Sequence, residues 1–438
     1  MSLRYRRGVH RSVSLLTKLI LVVAFISGTS LAQTSQDVRE YVQKARAGYR
    51  EKNYAVLIEN MKKALELRPN YGRYLYSIAA GYALSGDKDA ALQWLNGIAD
   101  MGLIFPAATD DDFKSLRETA EFKAVLEKFS NNTKPLGHGV AAFTLASEKG
   151  FVPEGLAYDP VDKTFYLGSV YKRKIVSVNA AGEAREFSSP NDGLWSVMGM
   201  RVDAKRRLLW VCTASHAQMI NFDAAENGRT GIFKYDLNTK KLMKKYLLPA
   251  DSKPHWFGDL VLNSRGDVFA SDSLTTGIYV LNQATDTLEL FLESGLFVNP
   301  QGLAFSADEK HLFMADYLKG VFVIDMKTKN PTLLSSAPRT TMLGLDGLYF
   351  HSGKLIGIQN GVNPNRVVRL SLDGLATKVE RFEVLEANNP VFDEPTLAVL
   401  KDGALFYIAN SQWGMIDEKG KLAPEDKLKD PIVLKLKL

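Results

Sequence analysis

Apolar and polar positions along most of this chain follow one recurring phrase. It reads Pro153-Glu154-Gly155-Leu156-Ala157-Tyr158-Asp159, followed by Thr164-Phe165-Tyr166-Leu167-Gly168-Ser169. It returns as Pro300-Gln301-Gly302-Leu303-Ala304 before His311-Leu312-Phe313-Met314-Ala315-Asp316, and as Leu345-Asp346-Gly347-Leu348 before Lys354-Leu355-Ile356-Gly357-Ile358-Gln359-Asn360. Each copy sets a polar residue and a glycine ahead of two short apolar runs split by a polar turn, which predicts a pair of strands. Weaker copies begin at Met198-Gly199-Met200, Gly258-Asp259-Leu260 and Glu394-Pro395-Thr396. Spacings of roughly 42 to 60 residues lie near the period of propeller blades. Nothing between the copies has the length or period of a crossover helix, so the sheets are expected to be antiparallel and radially repeated. The predicted fold is mainly β, a six-bladed β-propeller over 139–438. The run 141–145 should join the C-terminal run 431–438 in the last blade, which removes an exposed edge where the chain ends meet.

Ahead of the propeller the period changes to that of helices. Ala45, Tyr49, Tyr54, Leu57, Ile58, Met61, Ala64 and Leu65 recur mostly three and four positions apart. The stretch Ala64-Leu65-Glu66-Leu67-Arg68-Pro69-Asn70 resembles the end of a tetratricopeptide repeat. A second copy follows in 86–92, at the period of that repeat. A small α-helical, tetratricopeptide-like domain is expected over 33–130, with a linker over 131–138. Two repeats bury little alone, so this unit is expected to dock on the propeller or on a protein partner.

The first 32 residues alter the charge balance. Arg4, Arg6, Arg7, Arg11 and Lys18 precede an apolar run at 19–26 and the small residues up to Ala32. That is the layout of a cleaved export signal, so a periplasmic or secreted protein without lasting membrane insertion is expected. Removing the segment takes the formal net charge from +6 to +1, which gives no case for nucleic acid as a partner. Cys212 is the single cysteine, so no internal disulfide forms and the fold must hold by packing.

In a propeller blade the innermost strand and its neighbour run antiparallel, so the start of the first and the end of the second share a face. The strand starts place Glu154, Asp259, Gln301, Asp346 and Glu394 there, and the strand ends place Asp316, Asn360 and Asn410 there. Carboxylates facing one another raise each other's pKa unless a cation stands between them. Oxygen donors without clustered His or Cys suit Ca²⁺ or another hard divalent ion. Glu154 and Asp346 are the leading ligand candidates. Such Asp and Asn residues also cap turns through the local backbone, the reading that fits Asp316, Asn360 and Asn410 without any ligand. His255 lies beside the ring on the loop entering the third blade, within the reach expected of a proton acceptor.

At these residues the region 139–438 resembles the senescence-marker-protein/gluconolactonase family and, more distantly, the paraoxonases. The resemblance implies a six-bladed propeller holding a divalent ion in its central channel and hydrolysing lactones or esters. It implies a metal shell of one Glu, two Asn and one Asp. Glu154 and Asp346 match the two acids; Gly258, with Asp259 beside it, and Gln301 stand where the two Asn belong. The expected activity is therefore that of an exported, calcium- or divalent-metal-dependent lactone or ester hydrolase. Glu154, Gln301, Asp346 and Asp259 would hold the ion, Asp346 or His255 would handle the proton, and Glu394, Asn360, Asn410 and Asp316 would contact substrate. The alternative is a non-catalytic propeller that binds a ligand while the helical repeats recruit a partner.

Overall fold

The computed structural model describes residues 38–146, 148–179 and 182–438. The expected export signal at 1–32 lies outside them. Among the described residues no helix is long and apolar enough to cross a membrane.

Helices come first. The helix over 38–50 (α1) is followed by α2 (Tyr54–Leu67), α3 (Gly72–Ser85), α4 (Lys88–Asp100) and, after a short 3-10 segment at Asp111–Leu116, α5 (Ala120–Asn132). Their starts are set by side-chain caps. Asn53 accepts from the Val56 amide, Asp87 from Ala90 and Thr119 from Phe122, each satisfying an amide that the helix itself leaves free. Ala64, Ala79 and Ala91 are fully buried between them, where small side chains let the helix axes approach closely.

Six four-stranded antiparallel sheets follow. The innermost strands are β2 (Pro153–Asp159), β6 (Ser196–Asp203), β10 (Phe257–Leu262), β14 (Pro300–Phe305), β18 (Leu345–His351) and β22 (Ala398–Lys401). The last blade is β22, β23 (Ala404–Ile408) and β24 (Ile432–Lys437), completed on its outer edge by β1 (Val140–Thr144). The two ends of the propeller thus meet in one sheet, as the sequence pattern predicts. Rings from both ends pack across the seam: Phe165 lies 5.2 Å from Phe143 and 5.2 Å from Phe406, centroid to centroid. Such pairs contribute about 0.5–1.5 kcal/mol each beyond the area they bury.

The recurring polar-glycine phrase has a structural cause. In the first five blades the pairing of innermost and second strands slips just after its first partners: between Pro153 and Leu156, Val197 and Met200, Phe257 and Leu260, Pro300 and Leu303, and Leu345 and Leu348. The slipped residues are a polar residue and a glycine in four of these blades, and Met198 with Gly199 in the second. A bulge there frees the polar side chain from sheet alternation and re-aims it. The glycine lets the next blade close in: a Cβ on Gly155 would stand 2.1 Å from the Met198 carbonyl oxygen, and one on Gly302 would stand 2.4 Å from the Leu348 nitrogen.

The helical unit sits against the fourth and fifth blades. The Asn70 amide donates to the Thr340 carbonyl at 2.7 Å, the Ile104 amide to the Asn363 carbonyl at 2.8 Å, and Arg339 pairs with Asp100 at 2.7 Å. Arg366, buried in the fifth blade, donates to the Met101 carbonyl at 3.0 Å and to Gln359 at 2.6 Å. The segment expected as a linker is held too: α5 runs on to Asn132, and Leu136 pairs with Ala387 on the fifth blade.

Candidate active site

The innermost strands deliver side chains to the tunnel at two depths. Glu154, Gln301 and Asp346 each occupy the second position of their strand. Arg201 and Tyr349 lie three or four positions further along theirs, about 10 Å deeper at the rise of a strand.

At the mouth, Glu154 is buried and its Oε2 accepts from the Trp413 indole at 2.8 Å and from the Ser411 hydroxyl at 3.4 Å. Burial, followed by the negative charge of Asp346, pushes its carboxyl well above the ordinary range, with Glu394 adding to the effect. Asp346 accepts at Oδ2 from the Asn360 amide at 2.8 Å. Burial carries it up to about 7, the Asn360 bond opposing and Asp259 and Glu394 reinforcing. Glu394, also raised by burial, holds a left-handed backbone with φ of 65°, a conformation that costs a non-glycine residue of order 1 kcal/mol and recurs at functional sites. The Asn360 oxygen in turn accepts from the Tyr317 hydroxyl at 2.9 Å. The structure therefore brings Glu154, Asp346, Glu394 and Asn360 together from three blades.

Deeper in the tunnel, Asp259 behaves otherwise. Its Oδ2 pairs with the Arg201 guanidinium at 3.1 Å, and Arg201 lies 5.4 Å from the centre of the Tyr349 ring. Arg201 comes from the second blade and Tyr349 from the fifth, opposite it, so the arginine reaches across the tunnel. Asp259 already has its cation in that guanidinium.

The remaining candidates fall elsewhere. Gln301 donates to Asn299 at 3.0 Å and accepts from Ser273 at 3.3 Å. Position 258 offers no side-chain amide, and a Cβ on Gly258 would stand 2.4 Å from the Ser273 hydroxyl. His255 sits 2.5 Å from Asp272 through Nδ1, and its Nε2 lies 3.2 Å from Asp251 without the alignment of a hydrogen bond. Burial lowers its pKa, but the bond to Asp272 and the nearby charges of Asp272 and Asp251 outweigh it and hold the imidazole above its ordinary value. Both nitrogens thus face carboxylates of the third blade and its entering loop, not the ring. Asp316 accepts from the amides of Val298, Asn299 and Leu318, and Asn410 bonds the Asp430 carbonyl and the Ile432 amide. Both tie down local backbone. His216 stacks 4.2 Å from Trp256 and 5.7 Å from Trp413; burial takes it down to about 4, so it stays neutral. Sequence reasoning did not single out Arg201, Tyr349 or Tyr317. An arginine in the otherwise apolar start of β6 was the one available signal.

No family model matches the chain, and no curated protein matches it. Among solved structures it is similar to a gluconolactonase from Xanthomonas campestris, at 15% identity and a TM-score of 0.45 over 69% of this chain and 99% of that one. It is also similar to a PQQ-bound aldose sugar dehydrogenase from Streptomyces coelicolor, at 14% identity and a TM-score of 0.47 over 69% and 99% of the two chains. A third is virginiamycin B lyase from Staphylococcus aureus, at 13% identity and a TM-score of 0.46 over 69% and 99%. A hydrolase, a dehydrogenase and a lyase share this likeness, so it does not choose a reaction.

The fit to a divalent ion is tested by the donors themselves. Glu154, Asp346 and Glu394 are hard oxygen donors of the kind Ca²⁺ takes, and the charges of Asp346 and Glu394 add to the rise at Glu154. Asp259 is taken by Arg201, Gly258 offers no side chain, and among the described residues no group of three or more His, Cys, Asp or Glu side chains is placed to hold a metal ion.

Proposed function

We propose that the tunnel mouth hydrolyses lactones or esters, with Asp346 as the proton acceptor. The supporting observation is the pair of buried carboxyls at the mouth: burial carries Asp346 up to about 7, and burial with the charge of Asp346 holds Glu154 well above the ordinary range. A base is most effective when its pKa lies near the working pH, and two carboxyls pushed apart in pKa divide into proton donor and acceptor. In this reading water adds to the substrate carbonyl while Asp346 takes its proton. The carbon–oxygen bond to the alcohol then breaks, and the proton passes to the leaving oxygen. Asn360 orients Asp346, and Trp413 orients Glu154. A divalent cation held by Glu154 and Asp346 would, when bound, supply carbonyl polarisation and a more acidic water. The export signal would place this activity in the periplasm or outside the cell.

A second reading, a non-catalytic binding propeller whose helical repeats recruit a protein partner, is favoured by the Arg201–Asp259 pair in place of an open metal shell. One experiment separates the two. The purified protein, with chelator or with added Ca²⁺, is offered a panel of lactones and aryl esters beside the Glu154→Gln and Asp346→Asn variants. Turnover lost in both variants supports the hydrolase; no turnover under any condition leaves the binding protein.

A further inference from the structure

The helical unit does more than lean on the propeller. Between them lies a cleft of about 520 Å³, walled by Tyr71, Arg73 and Phe105 on the helical side and by Tyr317, Leu343 and Asn360 on the propeller side. That volume suits a small organic ligand. Its floor is joined to the ring by hydrogen bonds, Tyr317 to Asn360 and Asn360 to Asp346. Its walls are mostly apolar and, among the described residues, none of its lining is acidic. Arg73 is the one charged side chain in that lining. It is exposed and makes no side-chain hydrogen bond or ion pair among the described residues. It also lines the neighbouring cavity of the helical unit, with Arg46 and Arg50.

We propose that this cleft is the substrate site and that Arg73 selects a substrate carrying a carboxylate remote from the scissile carbonyl. The inference rests on the hydrolase reading for the position of the carbonyl. The charge logic is bipartite. A carboxylate at the ring would be repelled by Glu154, Asp346 and Glu394, whereas at Arg73 it meets an unpaired guanidinium with the planar donor geometry that carboxylates prefer. The apolar middle of the substrate lies along Phe105, Tyr71 and Leu343, and its uncharged carbonyl points to Asn360, which is bonded to Asp346. The helical unit is then the second half of the active site.

The test pairs two esters that differ only by a terminal carboxylate, mono-para-nitrophenyl glutarate and para-nitrophenyl butyrate, with the full-length wild type, Arg73→Ala and Arg73→Lys. The expected result is a KM for the glutarate ester raised about tenfold in Arg73→Ala, as for loss of one charge-assisted hydrogen bond. Its kcat and the butyrate kinetics should stay unchanged, and Arg73→Lys should recover part of the loss. Glutaramate, the uncleaved amide of the same acid, provides an arm independent of turnover: calorimetry should show it binding wild type and binding Arg73→Ala about tenfold more weakly. If neither ester is cleaved, the hydrolase reading falls and the glutaramate titration alone decides the cleft. Equal glutaramate affinity in wild type and Arg73→Ala, or none in either, overturns the inference.

Discussion

Arg201 of the second blade meets Asp259 of the third at 3.1 Å inside the axial tunnel. Burial holds the Asp259 carboxyl above its ordinary range, and the Arg201 guanidinium opposes that rise. Removing one partner of a buried ion pair leaves the other uncompensated, at a loss of about 3–5 kcal/mol. Arg201→Met should therefore lower the unfolding free energy obtained from urea titration by that much. The double variant Arg201→Met with Asp259→Leu should regain most of the loss. A single variant as stable as wild type would mean that the pair carries no weight.

The ring makes stability depend on pH in a definite direction. Asp346 rises from an ordinary 3.8 to about 7 in the folded state, and Glu154 and Glu394 are raised with it. A raised folded-state pKa contributes stability that is fully present below the unfolded value and is lost as pH climbs through the folded value. With chelator present, melting temperature should fall between about pH 4 and about pH 7. Added Ca²⁺ should restore it at the upper end and have little effect at the lower end, where protons already occupy the carboxylates. Differential scanning calorimetry over that range, with and without Ca²⁺, is the check.

Substitution at the mouth should separate stability from activity. Glu154→Gln and Asp346→Asn remove a buried repulsion, so each variant should be as stable as wild type or more so at pH 8 under chelation. Each should lose turnover by about a hundredfold to ten-thousandfold, the usual contribution of a positioned proton acceptor or donor. Thermal melts alongside esterase and lactonase rates measure both effects.

Tyr317→Phe probes the support of that acceptor. The Tyr317 hydroxyl fixes Asn360, whose amide bond opposes the rise at Asp346. Loss of the hydroxyl should loosen Asn360 and move the acidic limb of the pH–rate profile upward, with melting temperature nearly unchanged. Asn360→Ala should move the same limb further.

Arg366 anchors the helical unit. Burial alone pulls its guanidinium down to about 10, and its bonds to Met101 and Gln359 hold it in place. Arg366→Met should preserve the propeller while raising hydrogen exchange at 101–106, the segment that walls the cleft. Exchange mass spectrometry resolves the two regions.

The alternation of short apolar runs with polar-glycine starts was enough, by itself, to determine six antiparallel blades and the meeting of the chain ends in the last one. Strand direction then put Glu154 and Asp346 at the same end of the tunnel, because period and polarity are local properties written into each copy. Tertiary structure decided what each polar side chain does there. Asp316, Asn360 and Asn410 follow equivalent second strands, yet Asn360 turns to Asp346 while the other two tie down their own loops. The Arg201–Asp259 pair and the Arg73 cleft join residues from different blades or from the helical unit, distances that exist only once the ring has closed and the helices have docked. Charge compensation in a buried tunnel depends on which groups arrive together, and no repeat of a local pattern encodes that.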